Sequence, residues 1–395
     1  MRYQRVLVPS LLGWYLILIL GHYFHQRPLW NDEQCVLNSI LQLKSSALFT
    51  RSLLNDQAFP RLYLWFIQQF SSLFNQSLLA LRFFSLVAMM GAFFVWLKVA
   101  RRILDQSWDF LLFIGCWGAS IPLVYYAAEL KPYSMDVLIS GIMVLFLIDQ
   151  NEIRKNAKIY WVILFFLPFL ACWSYPVIFL LILPLYNLIR DCVEEGCWLP
   201  ELSFFLTGLI LTLGFLFLFD FRVSRPHLMS VYWHDYFISL DSMKGFLNTF
   251  GKGMNNLISR RFAESPRWVK VPSRIFIGIG LGYMFLTFWH QFKKDRFTLR
   301  SVVPITFAMF LIQFVLAIGG IFPFAVPRLS LFFSPLLYLM TIGGIDSIRK
   351  RNKVLGIILQ VFLIGYLIFI SLGIAWDIFI QGILGAEATL YSGIF

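Results

Sequence analysis

Charge is what this sequence has little of: 14% of its 395 residues are Asp, Glu, Lys or Arg, against about 25% in a typical soluble domain. Water is therefore not its main solvent. Five cysteines, Cys35, Cys116, Cys172, Cys192 and Cys197, make neither a disulfide framework nor a zinc spacing. Five histidines, His22, His25, His227, His234 and His290, show no metal-ligand spacing. There is no repeat of fixed period, no low-complexity tract, no glycine-rich phosphate loop and no HExxH or GxSxG motif. ATP-driven chemistry is unsupported, and no nucleic-acid partner is expected.

What is abundant is apolar surface, with 59% hydrophobic residues and a mean hydropathy of +0.73. Runs of about 20 apolar residues, enough to cross a hydrocarbon core of about 30 Å, recur with short polar breaks. They predict an all-α membrane protein of about eleven transmembrane helices, at roughly 8–24, 80–98, 108–124, 134–149, 159–173, 175–189, 203–221, 272–290, 302–319, 329–346 and 354–374. The fifth and sixth are the least separable. The first follows Arg2 and Arg5 like a signal peptide but lacks a small-residue cleavage site, so it reads as a retained anchor.

Lys and Arg set the orientation, because short cytoplasmic loops hold positive charge. Arg2 and Arg5; Lys98, Arg101 and Arg102; Arg154, Lys155 and Lys158; Lys293, Lys294, Arg296 and Arg300; and Arg349, Lys350, Arg351 and Lys353 all fall on one side. The amino terminus is expected to be cytoplasmic. The predicted outer loop 222–271 breaks the rule with Arg222, Arg225, Lys244, Lys252, Arg260, Arg261, Arg267 and Lys270. It suits either lipid headgroups or a substrate phosphate. Two modules are expected: 1–190, catalytic, with a first outer loop at 25–79, and 191–395, with the basic loop.

The first outer loop is too polar to span. Its segments RPLWNDEQCVLNSI and NDQAFPRLYLWFIQQFSSLFNQ read as amphipathic helices along the interface, with Trp30, Tyr63, Trp65 and Phe66 as aromatic contacts. Asp32 and Glu33 stand at the start of the first. Adjacent helical positions diverge by about 100°, so one carboxylate can face the bundle while the other caps amides; a simple capping turn is the alternative. A second cluster, YYAAELKPYSMD, fills the short turn between the third and fourth spans. Pro132 can open the fourth helix, with Tyr133 and Asp136 three apart on one face and Glu129 and Lys131 at its edge. Charges at that depth usually face a protein-lined cavity, although an ion pair of Lys131 with Glu129 or Asp136 would also explain them. Arg82 enters the second span from the outer side, and Arg328 begins the tenth behind Pro327; each can bind phosphate or snorkel to headgroups.

These residues, in this order, resemble the C-type superfamily of multi-span glycosyltransferases that use lipid-linked sugars, which includes protein O-mannosyltransferases and lipid A aminoarabinose transferase. The family's W-x-D-E appears as Trp30-Asn31-Asp32-Glu33, its P-x-L-Y as Pro60-Arg61-Leu62-Tyr63, its E-x-R/K-P-Y turn as Glu129-Leu130-Lys131-Pro132-Tyr133, and its late V-P-R helix start as Val326-Pro327-Arg328. LRFFSLVAMMGAFFVWLKVARRIL is similar to its arginine-led second span. The resemblance covers the chain to about residue 190, and beyond that rests on topology and Val326–Arg328. The usual His-Pro-Pro-Leu-Tyr is here Phe59-Pro60-Arg61-Leu62-Tyr63, and Leu329 replaces an aromatic, so a histidine contact is missing.

The resemblance implies transfer of a sugar from a polyprenyl-phosphate donor to an acceptor hydroxyl on the periplasmic or extracellular face. Nucleotide sugars are cytoplasmic, so an enzyme working outside needs a donor already flipped across the bilayer. Asp32 would be general base in an inverting displacement, with Glu33 orienting. Lys131, Arg328 and Arg82 would hold the donor phosphate, while Glu129, Tyr133, Asp136 and Tyr63 position the reacting groups. No cofactor is required; magnesium or manganese between Asp32 and Glu129 would suit oxygen ligands, but the spacing does not demand it. The acceptor is expected to be a lipid or glycan rather than a protein. A transporter or flippase should gather its charges near the midplane, and a polysaccharide polymerase or ligase should rely more on arginines.

Overall fold

The computed structural model describes residues 2–196, 200–223, 231, 233–262, 267–293 and 299–381. The described residues are helical throughout, with no strand. Eight helices are long and apolar enough to cross a membrane: Arg5–Phe24, Leu78–Ile103, Tyr133–Arg154, Tyr175–Glu195, Pro200–Phe221, Val269–Lys293, Leu331–Arg351 and Lys353–Gln381. They are compatible with an integral multi-pass membrane protein.

The other three expected spans are helical but different in kind. Ser107–Gly118 and Ile121–Ala128 meet at a 62° bend and together make a ninth candidate. The bend falls where Ser120 caps the second half by accepting from the Leu123 N–H at 3.4 Å, ahead of Pro122. Ala157–Cys172 and Val302–Ile318 are shorter. In the first, the α-helix ends at Phe166 and a 3-10 turn containing Pro168 follows to Cys172; the second has 17 residues, about 25 Å of helix at 1.5 Å per residue. The fifth and sixth expected segments do separate, because Ser174 and Pro176 start a new helix at Tyr175.

One buried apolar cluster runs from Tyr15 to Ile378 and so draws on both halves of the chain. Within it Leu78–Ile103 lies along Tyr133–Arg154, fixed by the Trp96 indole N–H donating to the Val137 carbonyl at 3.0 Å. Pro200–Leu216 approaches Phe165 so closely that a Cβ on Gly208 would overlap the Phe165 carbonyl oxygen; small residues permit such backbone contact.

The segment between the first two long helices carries the two expected amphipathic helices, Asn31–Gln42 and Arg61–Ser72. Their apolar faces, Val36, Ile40, Tyr63 and Ile67, join Leu48 and Phe59 from the chain between them in a separate core closed by Leu81 and Leu130. Tyr63 is fully buried there, stacked on Phe59 at 5.7 Å. That corrects its reading as an interfacial aromatic: the helix turns this face onto Leu81 and Leu130 instead.

Many orientation-setting cations are paired. Arg154 meets Asp191, Glu195 and Glu201, Arg300 meets Asp191, and Arg349 meets Asp109 and Asp346. In the basic loop, Met243–Ser259 is helical, Lys244 and Lys252 are exposed, and Arg261 is buried. Arg261 donates to the Leu257 and Ser330 carbonyls and to the Ser330 and Ser334 hydroxyls. Burial lowers it to about 10. Cys197, Arg225, His227, Lys294 and Arg296 lie outside the described residues, as does the side chain of Arg267. Cys35, Cys116 and Cys172 are free thiols.

Candidate active site

The two acidic motifs meet, and Glu33 joins them. Asn31–Gln42 begins just after Trp30, and Glu33, in its first turn, accepts the Trp30 backbone N–H at 3.4 Å, the acidic half of a capping box. The same carboxylate accepts the Leu130 backbone N–H at 2.7 Å, from the turn of the second motif. Arg82 grips it through Nε and Nη2 at 2.9 and 2.8 Å, and Arg27 through Nη1 at 2.9 Å. Glu33, Arg82 and Arg27 are 0, 2 and 4% exposed. A buried carboxylate with this many donors has its charge satisfied locally. Arg82 also donates to the Arg27 and Pro28 carbonyls, so all three of its nitrogens are engaged, none of them with Asp32.

Asp32 points the other way, as adjacent helical residues must. Its Oδ1 pairs with Lys131 Nζ at 2.9 Å and its Oδ2 with Arg328 Nη1 at 3.4 Å. Lys131 also donates to Gln57 Oε1 at 2.7 Å. Asp32 keeps 22% of its side chain exposed, whereas Glu33 and Glu129 keep none. Arg328 follows Pro327 ahead of Leu331–Arg351, and its guanidinium carbon lies 5.9 Å from the Trp30 ring and 5.1 Å from the Trp233 ring. Both are within cation–π range, so the basic loop touches the site through Trp233. Burial opposes the charge on Arg328, but the Tyr133 hydroxyl, Asp32, Tyr126 and Glu129 more than offset it and raise its affinity for the proton.

Glu129 is fully buried, with Oε1 accepting the Trp30 indole N–H at 3.1 Å. Its Oε2 is buried with no hydrogen-bond partner among the described residues. Burial, then the neighbouring Glu33, push its carboxyl up to about 8 from an ordinary 4.5. The turn is anchored by Ser85, which donates to the Glu129 carbonyl at 2.5 Å and sits 3.3 Å from the Tyr63 hydroxyl. Tyr63 therefore supports the turn from behind. Tyr133 packs edge-on against Tyr126 at 5.0 Å. Asp136 stands apart: it accepts from the Ser174 hydroxyl at 2.6 Å and pairs with no cation among the described residues. The Lys131 ammonium thus pairs with neither the Glu129 nor the Asp136 carboxyl but with the carboxylate of the other motif.

Sequence reading passed over several neighbours. Arg27, Gln57, Tyr126 and Trp233 all contact or face the cluster. A second buried network joins Arg61, Asp220 and Tyr175: Tyr175 donates to Asp220 Oδ1 at 2.6 Å, and Arg61 Nε lies 3.5 Å from the same oxygen. Asp220, charged at the end of the expected seventh span, carried the signal that marks such groups. Among the described residues no three of His, Cys, Asp and Glu converge to hold a metal. Comparison with protein-family models, with curated proteins and with solved structures finds no match.

Proposed function

We propose that the chain is a membrane-embedded, inverting glycosyltransferase that moves a sugar from a polyprenyl-phosphate donor to an acceptor hydroxyl. The observation that carries this reading is the bracketing of Asp32, the one part-exposed carboxylate of the three, by Lys131 and Arg328. Two cations at one edge suit a phosphate, and a carboxylate between them reaches an acceptor proton. Asp32 takes that proton as the acceptor oxygen bonds to the anomeric carbon. The bond from that carbon to the phosphate oxygen breaks, its electron pair leaves with the lipid phosphate, and Lys131 and Arg328 stabilise the charge. Glu33, locked to Arg27 and Arg82, holds the two motifs in register. Arg82, first read as a phosphate ligand, serves in this scheme as a positioning residue, and Asp136 takes no part.

On this reading about eleven segments cross the bilayer, the amino terminus is cytoplasmic and the site faces outward. The clustered residues sit at helix ends: the start of Asn31–Gln42, the first turn of Leu78–Ile103, the turn before Tyr133 and the approach to Leu331. A transport site would favour mid-helix positions. The acceptor is a lipid or glycan, and no metal is needed.

The test is turnover of a polyprenyl-phosphate sugar by the purified protein, wild type against Asp32→Asn, followed as released polyprenyl phosphate. Loss of a general base predicts a fall of about 10² to 10⁴. Equal turnover removes Asp32 from the reaction. No turnover by wild type, together with substrate flux in liposomes, identifies a transporter instead.

A further inference from the structure

We propose that Glu129 works as an un-ionised carboxylic acid, its buried Oε2 carrying the proton and donating a hydrogen bond to the donor phosphate beside Lys131 and Arg328. This rests on the transferase reading above and adds to it a residue that recognises an anion without bearing charge.

The geometry argues for it atom by atom. Glu33 takes Arg27 and Arg82, and Asp32 takes Lys131 and Arg328. Glu129 has no cation within ion-pair distance among the described residues, and the single hydrogen bond its carboxyl receives there is from the neutral Trp30 indole to Oε1. An ionised Glu129 would be a third anion in the cluster with one oxygen buried and unbonded, which costs far more than a neutral acid in the same place. The groups in its field are Glu33, Arg27 and Asp32 from the first connecting segment, Lys131 from its own turn, and Arg328 and Tyr133 from the two helix starts opposite. Burial and the two neighbouring carboxylates outweigh the cations and hold the acid protonated to about 8.

Charge balance follows. With Glu129 neutral, Arg27, Arg82, Lys131 and Arg328 carry more charge than Asp32 and Glu33, the carboxylates they pair with in the cluster. That positive excess, which grows as Asp32 takes the acceptor's proton, suits the negative charge that the lipid phosphate gains when the glycosidic bond breaks. Glu129 keeps its proton throughout; the acceptor's proton goes to Asp32 and then to water.

Two measurements test this. Turnover by wild type should fall about tenfold per pH unit above about 8 as Glu129 ionises. Glu129→Gln, whose amide still donates, should stay within about tenfold of wild type at neutral pH and lose that alkaline fall, whereas Glu129→Ala should drop about a hundredfold for want of a donor. Independently of turnover, subtracting infrared spectra of membrane-reconstituted Glu129→Gln from those of wild type should leave a protonated-carboxyl band that vanishes as pH rises through about 8, the buried Asp136 contributing to both alike. A wild type that turns over donor but shares its alkaline profile and infrared spectrum with Glu129→Gln overturns the assignment to Glu129 alone. A wild type that turns over no donor overturns the transferase reading and the phosphate contact with it.

Discussion

Lys131 and Asp32 form a 2.9 Å ion pair between the two acidic motifs, with the ammonium completed by Gln57 Oε1 at 2.7 Å. Because Arg328 holds the other oxygen of Asp32, the carboxylate occupies a place between two cations that a phosphate oxygen would also seek. On the proposed transferase reading, a donor phosphate entering there would compete with Asp32 for both partners and free it to accept a proton.

Removing either cation should therefore weaken the donor more than the acceptor. Lys131→Met is expected to raise the donor KM and lower kcat together, by about tenfold or more in kcat/KM for a lost charge-assisted contact. Arg328→Lys should be nearly as damaging, since an ammonium cannot reproduce a planar guanidinium set near the Trp30 and Trp233 rings. Steady-state kinetics with the donor varied decide it; an unchanged donor KM in both variants would remove the phosphate role.

Glu33 should behave as a stability residue first. Glu33→Gln leaves Arg27 and Arg82, both nearly inaccessible, without their shared counter-charge. Breaking a buried pair this way costs about 3–5 kcal/mol. Thermal unfolding in detergent should show a clear drop in midpoint for Glu33→Gln and for Arg82→Met, and a much smaller one for the part-exposed Asp32→Asn. Equal midpoints for Glu33→Gln and wild type would mean that the node does not hold the motifs together.

How much of this was readable from the chain divides along a physical line. Apolar runs marked each of the eight helices long enough to span, though not the helix Met243–Ser259 inside the expected outer loop, and local chemistry marked Pro132 and the start at Asn31, because those depend on neighbours in sequence. Which charge meets which depends on tertiary placement. Asp136 looked like a partner of Lys131 one turn away, yet its helix turns it toward Ser174. Arg82 looked like a free cation at a span's edge, yet it is spent on Glu33. Periodicity was equally silent on the 62° bend and on the shortness of Ala157–Cys172, since both arise where a capping serine or a proline interrupts a continuous apolar run.

The Arg61–Asp220–Tyr175 network should couple the first connecting segment to the helices behind it. Arg61 and Asp220 are fully buried, and Arg61 also donates to the Leu48 and Arg51 carbonyls. Asp220→Leu takes a buried carboxylate from Arg61 and Tyr175 together and is expected to be the more destabilising change, whereas Tyr175→Phe, which loses the hydroxyl's bonds to Asp220 and to the Phe59 carbonyl, should cost about 1–3 kcal/mol. Limited proteolysis between Gln42 and Arg61 gives a local readout: faster cutting in Asp220→Leu than in Tyr175→Phe is the expected order, and no change in either would uncouple the network from that segment.

On the proposed reading, an orientation is expected from how charge is distributed along individual helices. Leu78–Ile103 carries Arg82 near its start and Arg101 and Arg102 at its end; Tyr133–Arg154 runs from the Lys131 turn to Arg154; Leu331–Arg351 runs from Arg328 to Arg349, Lys350 and Arg351. In each, the end with the carboxylate cluster lies opposite an end rich in cations, and cation-rich ends are retained in the cytoplasm. Single cysteines replacing the exposed His25 and Lys353, in a background with the native cysteines changed to serine, should label from opposite sides. His25→Cys is expected to react with an impermeant maleimide on intact cells and Lys353→Cys only after permeabilisation. The reverse pattern would put the carboxylate cluster in the cytoplasm, where nucleotide sugars are available, and remove the reason for a lipid-linked donor.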